Sequence, residues 1–508
     1  MDYNSLAVFA LVIVLLKFFH KLLGAKQHPP FPPGPPPRLL VGNFRDLPTK
    51  LPWLTYTEWG LQYGNLVHAN ALGQHIFIVN SVKTANELFE KRSHIYSDRP
   101  VIPMIELMEW DFNVGLMPLG DRWRQHRRMF QQHFRRDLSR NYRPVQMKKA
   151  HQLLQGLLES PQDFRELLKT VAAASIMATV YGYDVKPSND RFVALSENAV
   201  QKLSESFFPG AVAVNTFPIL RYLPSWMPGA GFQRFAAECR QITQEMRQAP
   251  FDFVKQNIRD GVDSKSVVAK LLGASQARGR SDDEVIQEMA ATAYAAGADT
   301  TVSILGSFFL AMAVHPDVQK KAQIEIDTIV GPHRLPEFED RPSLPFVEAL
   351  FREVFRWRPV LPLGVAHATT ADDIYNGYFI PKGATVIANI WAMTRDESIY
   401  SEPDRFSPDR FFTADGMLNS DDTVLSFGFG RRICVGRHNA DAIVWAAIVS
   451  VLSTFNIAPA KDANGNEIEI DANYSDGLVS HAQAFACSIT PRSNTAKNLV
   501  QATEVSDM

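Results

Sequence analysis

Seven of the nine residues from Pro29 to Pro37 are proline. Proline fixes φ at about −65° and brings no amide hydrogen, so this stretch can be neither helix nor central strand. It divides the chain. On one side Leu6 to Leu16 is an unbroken run of eleven apolar residues, which Phe18, Phe19, Leu22 and Leu23 extend around Lys17, His20 and Lys21. A spanning helix needs about 20 mostly apolar residues; here Lys17 and Lys21 can snorkel to the interface and make up the length. Asp2 precedes the run, while Lys21, Lys26 and Arg38 follow it. The positive-inside rule then leaves the body of the protein in the cytosol. A cleaved signal peptide is the rival reading, but it would want a basic leading segment, which is missing. The expected organisation is a signal-anchor helix over residues 1–26, a stiff proline-rich hinge over 27–43 and one body over 44–508.

The chain has 508 residues, 46% of them hydrophobic and 21% charged, enough to bury a sizeable core. That excludes disordered and collagen-like classes. Lys+Arg is 52 against Asp+Glu 54, a net of −2, so bulk charge gives no reason to expect nucleic-acid binding. Three cysteines, Cys239, Cys434 and Cys487, make neither a disulfide framework nor a paired zinc site. They fit a reducing compartment. The body carries β-like segments at Leu66 to Val79, Ile374 to Ile387 and Ala484 to Ile489, with largely helical patterning between them. The fold class is mainly α, one large domain with small β-sheets at its ends.

The longest helical pattern runs from Ser281 to about His315. Ser281 and Glu284 have the spacing of a capping box, and Pro316 ends the run. Residues 290–298 hold six alanines and Gly297, followed by Asp299, Thr300 and Thr301. Small side chains would let something flat lie against that face; close helix–helix packing is the alternative. Glycine costs about 1 kcal/mol in a helix interior, so Gly297 points to a close approach or a local distortion.

The sharpest signal is Phe427-Gly-Phe-Gly-Arg-Arg-Ile-Cys-Val-Gly436. Its three glycines allow a tight turn with positive φ and backbone amides aimed at the sulfur. Arg432 adds a positive charge two residues before Cys434. Both are expected to lower the thiol pKa. A thiolate just before a helix (Asn439 to Thr454 is apolar and periodic) is a metal ligand or a nucleophile. His438 is the only nearby base, and no Asn or Asp partner accompanies it.

This segment resembles the haem-binding loop of the cytochrome P450 superfamily, the haem-thiolate monooxygenases. The resemblance covers the body from about Pro29 onward. Its other motifs follow in order. Trp123-Arg-Gln-His-Arg127 resembles the family's W-x-x-x-R, which implies that Trp123 and Arg127 hold a haem propionate. Ala296-Gly-Ala-Asp-Thr-Thr301 resembles the oxygen-activation motif, which implies that Thr300 donates a hydrogen bond to dioxygen while Asp299 relays protons from water. Glu353-Val-Phe-Arg356 resembles E-x-x-R, whose third partner is matched by Arg405 in Pro403-Asp-Arg-Phe406; these three are expected to support the fold, not the chemistry. His367 and Arg432 are further propionate candidates, and Phe427 is expected near the sulfur. The resemblance implies a cytochrome P450 fold over 44–508, haem b with Cys434 as axial thiolate, and dioxygen as co-substrate. The segment Phe217 to Trp226 is similar in style to fungal microsomal members of secondary metabolism.

No dinucleotide fingerprint or flavin segment appears, so the electrons are expected from a separate NADPH-cytochrome P450 reductase. Residues 121–143 hold eight arginines against Asp121 and Asp137, a local +6 that suits an acidic partner. The substrate regions are expected at residues 106–119, at 201–217, at the helix face near Ala296, at 361–366 and at 477–478. Met104, Met108, Phe112, Val114, Phe207, Phe208 and Leu478, with Val365 and Ala296, suggest a small lipophilic substrate such as a terpenoid or polyketide. A haem-thiolate isomerase or dehydratase that uses no dioxygen is the alternative enzyme, and a non-enzymatic haem protein the alternative class; the Asp299-Thr300 pair speaks against both. The anchor and the motifs together imply a single-pass protein of the endoplasmic reticulum membrane, its catalytic domain cytosolic.

Overall fold

A computed structural model describes residues 28–187, 189–207, 212–262 and 265–505. The expected anchor over 1–26 and Phe208 lie outside the described residues. The proline-rich segment forms only turns and isolated bridges, but it is no free spacer. Phe31 stacks on His68 at 4.5 Å and on His75 at 4.8 Å, and His28 stacks on Phe379 at 4.4 Å. Gly34 makes this docking possible: a Cβ there would sit 1.9 Å from the His68 carbonyl oxygen.

Twelve helices of eleven residues or more follow among the described residues. They are α1 (Pro52–Tyr63), α2 (Asp121–Phe134), α3 (Arg143–Glu159), α4 (Phe164–Tyr181), α5 (Arg191–Phe207), α6 (Gly231–Arg259), α7 (Val267–Ala277), α8 (Asp283–Val314), α9 (Pro316–Ile329), α10 (Pro345–Trp357), α11 (Arg437–Thr454) and α12 (Asn494–Val505). The strands are β1 (Leu66–Ala71), β2 (Gln74–Val79), β3 (His367–Ala368), β4 (Asp373–Tyr375), β5 (Tyr378–Ile380), β6 (Thr385–Ala388), β7 (Phe455–Pro459) and β8 (Cys487–Pro491). One sheet has the order β1-β2-β6-β3; β2 and β6 run parallel and its other pairs antiparallel. The β1–β2 hairpin closes through Leu72 (φ 52°) and Gly73 (φ 87°), the left-handed pair that matches strand twist. β4–β5 and β7–β8 are separate antiparallel pairs. The third β-like segment thus starts three residues later than its sequence suggests.

α8 is the axis of the molecule. At about 1.5 Å per residue its 32 residues span roughly 48 Å. It packs along α4 and also meets α6, α7 and α11. Gly297 belongs to the α4 contact: a Cβ there would come within 2.7 Å of Ile176 Cδ1. By length and hydropathy α8 could cross a membrane, but 61% of its most apolar stretch is buried, the signature of a core helix. The capping box does not form. The helix starts at Asp283, no side chain caps it, and Ser275 Oγ accepts the Asp282 amide at 3.2 Å instead. Asp283 and Glu284 in the first turn favour the positive end of the helix dipole.

The main core joins α3, α4, α8, α10 and α11 through residues such as Leu153, Leu168, Phe308, Val347 and Trp445. Each buried side chain of this size stabilises the fold by about 1.5–3 kcal/mol. Phe427 of the cysteine loop packs against this same core.

Candidate active site

On α10, Glu353 and Arg356 have no exposed side-chain surface. Arg356 donates to Glu353 through Nε at 2.6 Å and Nη2 at 2.8 Å, and Nη1 donates to the Thr394 carbonyl at 2.9 Å. The expected third partner is corrected. The Arg405 side chain is 67% exposed and pairs with Glu402; Arg410 reaches Glu353 instead, Nε to Oε1 at 3.2 Å. The sequence carries Pro-Asp-Arg-Phe twice, at 403–406 and 408–411, and only the second copy turns its arginine inward. Arg405 contributes its carbonyl, which accepts from Arg410 Nη2 at 3.0 Å.

The cysteine loop hangs above this network. Gly428 (φ 82°) and Gly430 (φ 53°) take the left-handed conformation, and a Cβ on Gly430 would lie 2.1 Å from the Phe89 carbonyl oxygen. Gly436 does not, at φ −84°; it is the residue before α11. The Cys434 amide donates to the Phe427 carbonyl at 2.9 Å, which ties the two ends of the turn together, and the Phe427 ring lies 5.3 Å from that of Phe355. Cys434 is solvent-accessible, yet sits deep among protein atoms. Burial pushes its thiol above the ordinary value; the Gly436 and Arg437 amides and the charges of Arg127 and Arg437 pull it down. The net shift is upward, opposite to the expectation, because burial outweighs these contributions.

Arg432 instead donates Nε to the Ser97 carbonyl at 2.7 Å and Nη1 to the Val114 carbonyl at 3.2 Å, and its guanidinium lies 4.4 Å over the Trp123 ring. Its Nη2 is buried without a partner. Trp123 therefore shelves Arg432. His367, 7% exposed, has Nδ1 2.6 Å from the Tyr96 carbonyl, so Nδ1 carries hydrogen and Nε2 is left over. Arg99, which no motif flagged, completes the group: Nε donates to Gly115, and Nη1 to the carbonyls of Val365 and Ala366, all at 2.7 Å. Burial lowers all four basic groups. Arg127 and Arg432 fall to about 10, while Arg99 and His367 fall well below their usual values, each also pressed by neighbouring guanidinium charge. Asp98 is the carboxylate that opposes this for Arg99 and Arg432.

On α8, Thr300 Oγ1 donates to the Ala296 carbonyl at 2.7 Å, Ala296 is exposed, and Asp299 Oδ1 lies 3.1 Å from His481 Nε2. His481 was not singled out by the sequence; it lies in an irregular segment before β8. Of the expected substrate residues, Phe112 is corrected. It is fully buried, stacked on Trp110 at 5.5 Å with Arg247 4.9 Å over its ring. It is wall filling, as are Met104 and Met108. Val114 is 5% exposed and Val365 and Leu478 are partly buried against the core that contains Phe112. A cavity of about 800 Å³ is lined by Gln201, Ser204, Asn215, Leu363, Ala366 and Leu478 from the expected substrate regions, and also by Trp53, Tyr56, Ile76 and Ile102.

The family model for cytochrome P450 matches residues 32–484. The chain belongs to the cytochrome P450 family. Similar proteins include a P450 monooxygenase of Armillaria gallica, 40% identical over 98% of this chain and 99% of its own length. Another is the P450 monooxygenase ple1 of Rhodocybe pseudopiperita, 41% identical over 94% and 92%. A third is the P450 monooxygenase COX1 of Coprinopsis cinerea, 37% identical over 99% and 100%. The protein is thus a P450 monooxygenase, whose cofactor is haem held by a cysteine thiolate. The residues of this P450 fit that group. An accessible sulfur lies deep beside α11, and a cluster of desolvated cations has too little carboxylate of its own. The partnerless Arg432 Nη2 is the kind of donor that a propionate satisfies. When bound, the haem supplies the thiolate-assisted activation of dioxygen.

Proposed function

We propose that this P450 oxidises a small lipophilic molecule, with Cys434 as the thiolate ligand. Trp123, Arg127, Arg432 and His367, joined by Arg99, hold the propionates. Asp299 and Thr300 move protons on the α8 face that carries Ala296. Substrate reaches that face past Leu478, Val365 and Val114, through a cavity whose apolar lining from Trp53, Leu363 and Ile102 suits a terpenoid or polyketide of secondary metabolism. Electrons come from an NADPH-cytochrome P450 reductase. Its docking place is the concavity beside Cys434, lined by Arg127, Arg128, Arg135, Arg437 and His438, a basic rim that fits an acidic partner. Residues 1–26 anchor the protein in the endoplasmic reticulum membrane and residues 44–508 form the cytosolic catalytic domain, with 27–43 as the hinge.

The observation that carries this reading is the accessible Cys434 sulfur with Arg127 turned toward it, beside a cluster in which the buried Arg99 and Arg432 have one opposing carboxylate, Asp98. The test is the reduced carbon-monoxide spectrum of the purified protein, beside untargeted product profiling of a host that co-expresses the reductase. A thiolate-type band lost in Cys434→Ala, with a new oxygenated metabolite lost in the same variant, is the expected result. A thiolate-type band that survives Cys434→Ala overturns the assignment.

A further inference from the structure

α8 has a second face. Successive residues on a helix turn by about 100°, so Ala298 and Val302 lie on the far side from Ala296 and Thr300, with Gly306 on their flank. That opposite face lines a separate cavity of about 410 Å³, bounded also by α4, α5 and the turns before β8. Asp299 lies between the two faces and lines this cavity with His481. The charged and titratable groups turned toward them are Arg165 and Lys169 of α4, Glu197 of α5 and Tyr294 of α8. Lys169 stands between Glu166 at 2.8 Å and Glu197 at 3.9 Å, and Arg165 donates to the Ala482 carbonyl at 3.3 Å. His481 is itself fixed: its amide donates to Ser475 Oγ at 2.9 Å and its carbonyl accepts the Ser475 amide at 2.8 Å.

We infer that His481 is the positioning residue of Asp299: it pins the carboxylate and hands it protons drawn from this cavity. The inference rests on the relay reading of Asp299 and Thr300 given above. In the resting structure that relay is parked. The Thr300 hydroxyl points its hydrogen at its own helix, and one Asp299 oxygen is held by the imidazole. A protonated ring gives its Nε2 proton to Asp299 Oδ1 and leaves a neutral imidazole and a carboxylic acid; the acid passes that proton on at the Thr300 side and returns to carboxylate, and the ring regains a proton that enters from bulk solvent along the cavity water, which is left unchanged. One proton moves inward per cycle and no electron moves. Glu197 suits the entrance. Burial raises its carboxyl above the ordinary range, and the charges of Glu166 and Asp299 raise it further against Lys169, so it keeps a proton to pH values at which a free carboxylate has lost it.

Two measurements on the purified holoenzyme test this. The first is hydrogen–deuterium exchange at the His481 ring C2–H against pH, read by mass spectrometry in the wild type and in Asp299→Asn. The exchange profile is expected to change in the variant, because the ring loses the carboxylate 3.1 Å from its Nε2; identical profiles overturn the pairing. The second mixes dithionite-reduced holoenzyme with air-saturated buffer and follows return of the ferric absorbance from pH 6 to 9. The wild-type rate is expected to fall as pH rises, while His481→Gln, which can bond but carries no exchangeable ring proton, is expected to be several-fold slower and flat. A wild-type-like profile in His481→Gln overturns the proposal. Thr300→Ala separates the layers. If it changes the rate while His481→Gln does not, only the role of His481 falls; if neither changes it, the relay reading falls with it.

Discussion

Glu353 and Glu288 are both carboxylates sealed inside the protein, at 0% and 3% side-chain exposure, and they are held by different chemistry. Glu353 meets two guanidinium groups and the Ser407 amide at 2.8 Å. Glu288, on α8, accepts from Arg122 Nη2 at 2.7 Å and lies 2.7 Å from His126 Nε2, with Arg247 at 3.8 Å. His126 Nδ1 is already committed to the Arg122 carbonyl at 2.8 Å. Its Nε2 can therefore donate to an ionised Glu288 only when the ring carries both hydrogens. Among side chains, the first carboxylate is held by guanidinium groups alone. The second is held by guanidinium groups and an imidazole. Their places differ too. Glu353 braces the ground under the cysteine loop. Glu288 ties α2, with its Trp123 and Arg127, to α8, and through Arg122 to Asp111 at 2.8 Å.

The largest effect is expected at the Glu353 network. Arg356→Ala leaves Glu353 buried with only Arg410 and one amide, which should cost about 3–5 kcal/mol. Urea unfolding measures it. Arg405→Ala, in the outward copy of the repeated motif, should fall within about 0.5 kcal/mol of wild type. Equal losses in the two variants would mean that the network is not arranged as described.

Glu288→Gln keeps the shape and removes the charge. It should cost less, about 1–3 kcal/mol, since Arg122 is half exposed and can recover water. Its pH dependence is the sharper readout. Burial pushes the Glu288 carboxyl up, but hydrogen bonds from His126 and Arg122 and the Arg122 charge outweigh this, and the folded value is depressed. A depressed carboxyl contributes stability that is complete above its unfolded value of about 4.3 and fades as pH falls through the folded value. The gap between wild type and Glu288→Gln, read as thermal midpoints, should thus be full at pH 6 and shrink below about pH 4. A gap that stays constant to pH 3.5 contradicts an ionised, paired Glu288.

The contrast also explains what could be read from the sequence. Glu353, Arg356 and Cys434 sit in short motifs whose spacing alone specifies a helix face or a glycine turn, so they were legible, as was the mainly helical fold. His126, Arg122 and Arg247 lie 162, 166 and 41 residues from Glu288 along the chain and meet it only through packing, and no local pattern joins them. The same holds for His481 with Asp299 and for Arg99 with Arg432. Arg405 was a subtler miss: two copies of Pro-Asp-Arg-Phe are locally equivalent, and only the short helical turn at Pro408–Phe411 decides which arginine faces Glu353. The capping box failed because Ser275, from the preceding helix, reached the α8 entrance first.

α2 shows how little of a charge run is one thing. Of its arginines, Arg122 is drawn into the Glu288 network and Arg127 is turned toward Cys434, while Arg124 and Arg128 are exposed. Arg124 pairs with Asp121, itself fully exposed, and a surface pair of this kind contributes little to stability. The smallest stability effect is accordingly expected for the double charge reversal Arg124→Glu with Arg128→Glu, whose thermal midpoint should match wild type. Its effect belongs to encounter. Reductase-driven turnover should slow several-fold, most at low salt where charge steers association over the longest distance, while peroxide-driven turnover, which needs no reductase, should stay unchanged. Equal loss in the two assays would remove the docking role and return these arginines to the solvated face of a helix.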